Sequence, residues 1–422
     1  MSRTRTLSLS CAPCNMHRDL STRSDWPDLY DRALDLIYQL SETHAPLLES
    51  LVIHTLNFTD NVFSGIIPRK LRSVELIDCS HVAPTSAFFG SPLTHLSIDF
   101  CISWNTIDDM LIALTALPHL EHFKWDADAC AIAPPFMQPE AHEPESLALP
   151  RLQYLSLCID IEQAVRIIPI LNIPSSTTLV IAGELMQEPL NNTPSFVDLL
   201  DGMESSFEPR LRRAFPHAGQ GFQRVSILPY REENVDGFTA VMETPTAQQG
   251  SPTKFEFGAC WGVECHDEYM LMLQEVLGWP GIGRSAVHLN VDHAVFLRSE
   301  IHWRQLLEPL SAITGINVCG PAAAFLFRAL HTSSGALGRN LESITVKNVD
   351  ARVVAMLLRT LDRRVERSLP PLELGIHQCQ VDSPILRRVE SHPGVKGVQW
   401  DGQVDGQLRY GEYDEDQAAE TA

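Results

Sequence analysis

The chain has 422 residues, 44% hydrophobic and 20% charged, and 32 Lys and Arg against 53 Asp and Glu leave a net charge of −21. That length implies several domains or one architecture that grows by repetition, and the composition excludes wholesale disorder and a collagen-like chain. The negative charge repels phosphate backbones and anionic lipid, so nucleic acid is not an expected partner. Ten cysteines are too sparse for a disulfide scaffold, there is no secretory signal, and no apolar run is long enough to span a bilayer. The expectation is an intracellular protein, cytoplasmic or nuclear, with reduced thiols and no membrane partner.

Residues 1–44 read as a leader with one helix candidate, SDWPDLYDRALDLIYQLSE (24–42), with Ser24 as its cap. From residue 45 a phrase of the form L-x-x-L-x-L recurs, first as LLESLVI (47–53), LRSVELIDC (71–79), LTHLSIDFC (93–101), LEHFKWDAD (120–128) and LQYLSLCID (152–160). Degenerate copies continue to VKGVQW (395–400). Taking the second apolar residue of each copy as an anchor gives Leu51, Val74, Leu96, Phe123, Leu155, Leu179, Val225, Phe255, Leu289, Ile316, Ile344, Leu374 and Val398. The intervals run from 22 to 34, which suits one strand and one helix per repeat, except for 46 residues between Leu179 and Val225, where a further repeat could lie hidden.

Between the anchors, TIDDMLIALTAL (106–117), IEQAVRIIPIL (161–171), HDEYMLMLQEVL (266–277), PAAAFLFRAL (321–330) and DARVVAMLLRTLDRRVE (350–366) carry apolar residues at helical spacing. One such unit cannot bury both its strand and its helix stripe, whereas stacked units share a continuous core. The expected fold is therefore α/β, a leucine-rich-repeat-like solenoid or horseshoe over 45–402, with a parallel strand ladder on the concave face and helices on the convex face. Residues 129–148, rich in Pro and Glu, read as a projecting loop, and 403–422 as an acidic, disordered tail. Cys79, Cys101, Cys260 and Cys379 fall three residues after the last apolar residue of their phrase, the slot where such repeats place Asn or Cys to serve the turning backbone.

The phrases APLLESLVI (45–53), LRSVELIDC, SPLTHLSIDFC (91–101), ALTALPHLEHF (113–123), LALPRLQYLSL (147–157) and RSLPPLELGIHQC (367–379) followed by VKGVQWDG (395–402) resemble the leucine-rich-repeat F-box-like proteins of mushroom-forming fungi. The resemblance covers roughly 45–402. It implies a horseshoe that captures a partner protein and, in complete members, an F-box that docks the Skp-type adaptor of a cullin-RING ubiquitin ligase. Nothing in residues 1–44 matches the Leu-Pro phrase that opens an F-box.

Signatures of chemistry are weak. Gly281, Gly283 and Ala286 fit G-x-G-x-x-A, but the helix precedes the glycines and a strand follows, the reverse of a dinucleotide site, so a helix-to-strand turn is expected. Cys11 with Cys14, and Cys260 with Cys265, complete no zinc array. No P-loop, HExxH or GxSxG is present. No catalytic residue, metal site or cofactor is expected, and the chain reads as a non-enzyme. The basic run Arg359, Arg363, Arg364 and Arg367 reads as a solvated helix face, with docking to an acidic partner as the sharper alternative.

Strand alternation places the residues beside each anchor on the outward face. That exposed ladder includes His95, Ser97, Asp99, His122, Lys124, Asp126, Tyr154, Ser156, Lys254, Glu256, His288, Asn290, Asp292, Thr345 and Lys347. His95, Asp99, His122, Lys124, Asp126 and Tyr154 should lie together and bind a protein ligand, while His95 and His122, in the same slot of consecutive repeats, could share a metal or bracket an acidic group.

Overall fold

In a computed structural model, the structure describes residues 5–10, 38, 42, 45–54, 62–79, 83–101, 104, 106–127, 146–184, 196–217, 220–232, 235–244, 254–262, 266–294, 296–333, 337–379, 381 and 383–401. Most of the leader helix, most of the 129–148 loop, and the acidic tail lie outside them, as do Cys11, Cys14 and Cys265. The chain is mixed α/β, with its long strands in mostly parallel array. It divides into two compact units, Met1–Ala286 and Val287–Ala422, where the repeat pattern alone groups 45–402 as one run.

In the first unit the elements are β1 (Thr6–Ser10), β2 (Ser50–His54), β3 (Ser73–Ile77), β4 (His95–Asp99), α1 (Ile107–Thr115), β5 (His122–Asp126), β6 (Leu147–Ala148), β7 (Tyr154–Cys158), α2 (Ile161–Ile167), β8 (Leu171–Asn172), β9 (Thr178–Glu184), α3 (Phe196–Ala214), β10 (Arg224–Glu232), β11 (Val235–Glu243), β12 (Lys254–Gly262) and α4 (His266–Gly278). Strands β1 to β5, β7 and β9 pair in sequence order, all parallel, and β6 pairs with β8 apart from them. The second unit holds β13 (His288–Val291), α5 (Glu300–Leu307), β14 (Gly315–Cys319), α6 (Ala322–Thr332), β15 (Ser343–Lys347), α7 (Ala351–Glu366), β16 (Leu372–His377), α8 (Ser383–Glu390) and β17 (Val395–Trp400). The five strands described there are again parallel and in sequence order.

The anchor residues form the core layer. Leu51, Val74, Leu96, Phe123, Leu155 and Leu179 stand in one register across β2 to β9 and are almost fully buried. Leu289, Ile316, Ile344 and Leu374 do the same in the second unit. Val398 departs from the expectation: it is only half-buried. It sits in β17, which among the described residues ends the strand order and pairs only with β16, so no second described strand covers it as one does the other anchors. Four of the helices expected between anchors form within a residue or two of their patterns, while the one expected over 161–171 stops at Ile167 and Leu171 pairs in β8 instead. Thr106 caps α1 by accepting from the Asp109 backbone N–H, and Asp350 caps α7 by accepting from Val353.

Three local expectations are corrected. First, β1 lies inside the supposed leader and adds a strand beside β2; its TLSLS alternation is too short to display the repeat phrase. Second, the 46-residue interval contains α3 and, among the described residues, no strand of its own. The surplus strand is β11, antiparallel to both β10 and β12, so that β12 rather than β10 lies beside β9. Two residues separate β10 from β11, and a parallel crossover needs a dozen or more, so this pair can only be antiparallel. Third, Arg364 is buried rather than solvated. Its guanidinium donates to the carbonyl oxygens of Gly338 (2.8 Å), Leu341 (3.0 Å) and Pro370 (3.0 Å). Arg359 and Arg363 are exposed, as expected.

The turns after the strands share a device. Asp78, Phe100, Gly320, Asn348 and Gln378 each follow a strand with φ between 52° and 79°, the left-handed region. The freed N–H groups reach the neighbouring repeat: Asp78 donates to the Asp99 carbonyl (2.8 Å), Gly320 to Lys347 (2.9 Å) and Asn348 to His377 (3.2 Å). Behind these turns Cys79, Cys101 and Cys379 are buried, with Sγ 3.4 Å, 3.2 Å and 3.0 Å from the carbonyls of Ile77, Asp99 and His377. The fourth cysteine assigned to this slot, Cys260, lies within β12 instead, because pairing with β11 prolongs that strand past the point where the others turn. The Gly281 motif forms a turn after α4, with φ 78° and its carbonyl accepting from Phe222 at 2.7 Å. A Cβ there would come within 2.2 Å of the Phe215 ring, so the glycine serves packing.

Candidate functional site

Parallel register sorts the outward side chains of β4, β5 and β7 into rows. His95, His122 and Tyr154 open the three strands and lie side by side. The two imidazoles stack face to face, with centroids 4.4 Å apart and planes 7° apart. Tyr154 extends the stack, 6.0 Å from His122 at 30°. The row at the strand ends is Asp99, Asp126 and Cys158, and Lys124 stands between the rows. Its Nζ is 2.9 Å from Asp99 Oδ1 and 3.9 Å from Asp126 Oδ2, while Ser97 Oγ donates to Asp99 Oδ2 at 3.1 Å.

All six residues singled out for partner binding therefore lie together on three neighbouring strands. The exposure of two ladder positions needs correction: Asp99 is 8% exposed and Ser156 is 2% exposed. The Lys124 side chain reaches across to Asp99, and the short Ser156 stands in register between two longer residues, Lys124 and Val180. What the face presents is an imidazole and phenol strip next to a cation held by two carboxylates. It offers flat stacking surface and both signs of charge, which suit peptide or protein recognition. A metal shared by His95 and His122 does not fit. Zinc sits about 2.0–2.1 Å from nitrogen in the imidazole plane, and two rings stacked in nearly parallel planes do not aim their nitrogens at one point.

Electrostatics follows from this packing. Burial opposes the charge on Lys124, but the hydrogen-bonded Asp99 carboxylate and then Asp126 outweigh it, so the amine is held above its ordinary value. His122 is pushed below 6.5, by burial first and then by the neighbouring His95. The unfolded chain takes up a proton at this imidazole near pH 6.5 while the folded chain resists it, so stability is full above that pH and falls as the pH drops through it. Thermal melts between about pH 7.5 and about pH 5 should show this decline, and His122→Gln should make it shallower. An unchanged pH profile in the variant would mean that other groups govern the acid limb.

No protein-family model matches the chain, and no curated protein sequence is significantly similar to it. No helix among the described residues is long and apolar enough to cross a membrane.

Proposed function

We propose that this chain is a non-enzymatic, leucine-rich-repeat-like protein that captures another protein on its strand ladder, the inner face of a horseshoe. The observation that supports this reading most directly is the registered His95, His122 and Tyr154 row beside the Lys124, Asp99 and Asp126 cluster. Strands fixed on both sides hold these groups in place before any partner arrives, so little ordering entropy is lost on binding. The sequence resemblance extends the proposal to the substrate-recognition part of an F-box-type ubiquitin ligase; the alternative is a free-standing interaction scaffold with no ligase connection. Purified Skp-type adaptor titrated against the full chain separates the two, since binding supports the ligase role and its absence leaves the scaffold.

The site itself is tested on a partner captured by cross-linking in cells and then produced pure. Tyr154→Ala should weaken binding by about 2 kcal/mol, roughly 30-fold, if Tyr154 is a central anchor. Arg363→Ala, on the exposed side of α7, should leave affinity within about twofold. Weaker binding only for the Arg363 variant would move recognition to the helical surface and end the ladder assignment.

A further inference from the structure

A second cluster of chemically capable side chains lies at the carboxyl ends of β13 and β14, in the second unit. Asp292, His293 and Cys319 each offer one donor atom, and the three atoms lie within 4.8 Å of one another. His293 Nε2 is 3.1 Å from Cys319 Sγ and 3.9 Å from Asp292 Oδ1. Two features of the turns build this arrangement. His293 takes a left-handed backbone conformation, φ 41°, a strained choice for a residue with a Cβ. At the next repeat the corresponding turn residue is Gly320, and a Cβ there would come within 2.9 Å of His293 Nδ1. The missing side chain at Gly320 is what lets the imidazole lie over to Cys319. From the turn after the following strand the Asn348 amide donates to the same sulfur at 3.3 Å.

We infer that Asp292, His293 and Cys319 form a binding site for zinc or a similar borderline divalent cation, with three protein donors and a fourth position open to solvent. Thiolate, imidazole and carboxylate together are a zinc donor set. Tetrahedral zinc at ordinary bond lengths sets sulfur and nitrogen about 3.5 Å apart and nitrogen and oxygen about 3.3 Å apart. The observed 3.1 Å and 3.9 Å are each within about 0.6 Å of those separations, a shift the exposed Asp292 and His293 side chains can make. The Asn348 amide acts as an outer hydrogen-bond donor to the sulfur, as second-sphere groups do at metal thiolates. Cys319 must lose its proton to ligate. Burial pushes the thiol up to about 11, with Asn348 and Lys347 pulling it down and Asp292 pushing it up. Metal binding therefore releases a proton and strengthens as the pH rises.

The test is a titration of the chelator-treated, reduced full chain with Co²⁺, read by its thiolate-to-cobalt charge-transfer band and its visible tetrahedral bands. One tightly bound ion that Zn²⁺ displaces is expected. Cys319→Ser should abolish the charge-transfer band, and His293→Gln and Asp292→Asn, at exposed side chains, should each weaken binding at least tenfold. Gly320→Ala keeps all three donors but displaces the imidazole, and should also weaken it. Cys379→Ser, which removes a buried thiol at another turn, should change nothing. If the wild-type chain shows no charge-transfer band, or keeps it in Cys319→Ser, the site is overturned and the 3.1 Å contact is only a thiol–imidazole hydrogen bond. Should Cys319→Ser fail to fold, wild-type cobalt affinity in His293→Gln overturns it equally.

Discussion

Replacement of Leu155 by alanine is expected to lower the free energy of unfolding by about 2–5 kcal/mol, whereas Ser156→Ala should cost less than about 1 kcal/mol. Leu155 is fully buried in β7, in register with Phe123 on one side and Leu179 on the other. Removing its side chain opens a cavity that neither neighbouring strand can fill without breaking its own ladder of hydrogen bonds. Ser156 is buried too, but on the opposite face, where its hydroxyl has the Cys158 sulfur 3.9 Å away; alanine leaves no large hole and orphans no strong partner. Chemical denaturation of the two variants measures the difference. Equal losses would show that the strand faces are assigned the wrong way round.

Arg364→Ala should be the other large loss, about 2–4 kcal/mol, because three carbonyl groups lose a charged donor and the space it filled. Arg364→Lys should recover less than half, since one ammonium cannot imitate a planar fork reaching Gly338, Leu341 and Pro370 together. Burial holds the Arg364 guanidinium below its usual value, yet an arginine remains charged at any pH at which the fold is studied. The loss should therefore be nearly independent of pH between about 6 and 9. A denaturation midpoint that does not move in Arg364→Ala would mean that water satisfies the carbonyls as well as the guanidinium does.

The strand ladder was largely legible in the sequence because its signal is local: an anchor with an apolar residue two places on marks a half-buried strand, and the helical stripes fall between anchors. Pairing partners are a long-range property that a local phrase does not encode. Val225 and Phe255 carry the same phrase as the true neighbours, and only the short connection to β11 betrays that β10 turns back on itself. For Arg364 charge predicts exposure, whereas two of the loop carbonyls that hold it buried come from residues 23 and 26 positions earlier. The placement of the six ladder residues side by side is legible because a single repeat register fixes them all. The His293 and Cys319 pair was missed because it depends on a ring crossing from one turn to the next over a glycine, which no spacing within a repeat encodes.

The left-handed turns at the strand ends bear on how such a chain can change over generations. Asp78, Phe100, Asn348 and Gln378 hold nearly the same backbone angle with four different side chains, although glycine would be less strained by about 1–2 kcal/mol at each. The turn is thus specified by the hydrogen bond to the next repeat and not by residue identity. A single codon change there exchanges one projecting group for another while the register of every strand stays put. In each unit these turns are therefore the positions most open to diversification, and related chains should differ from one another there sooner than along the buried anchors.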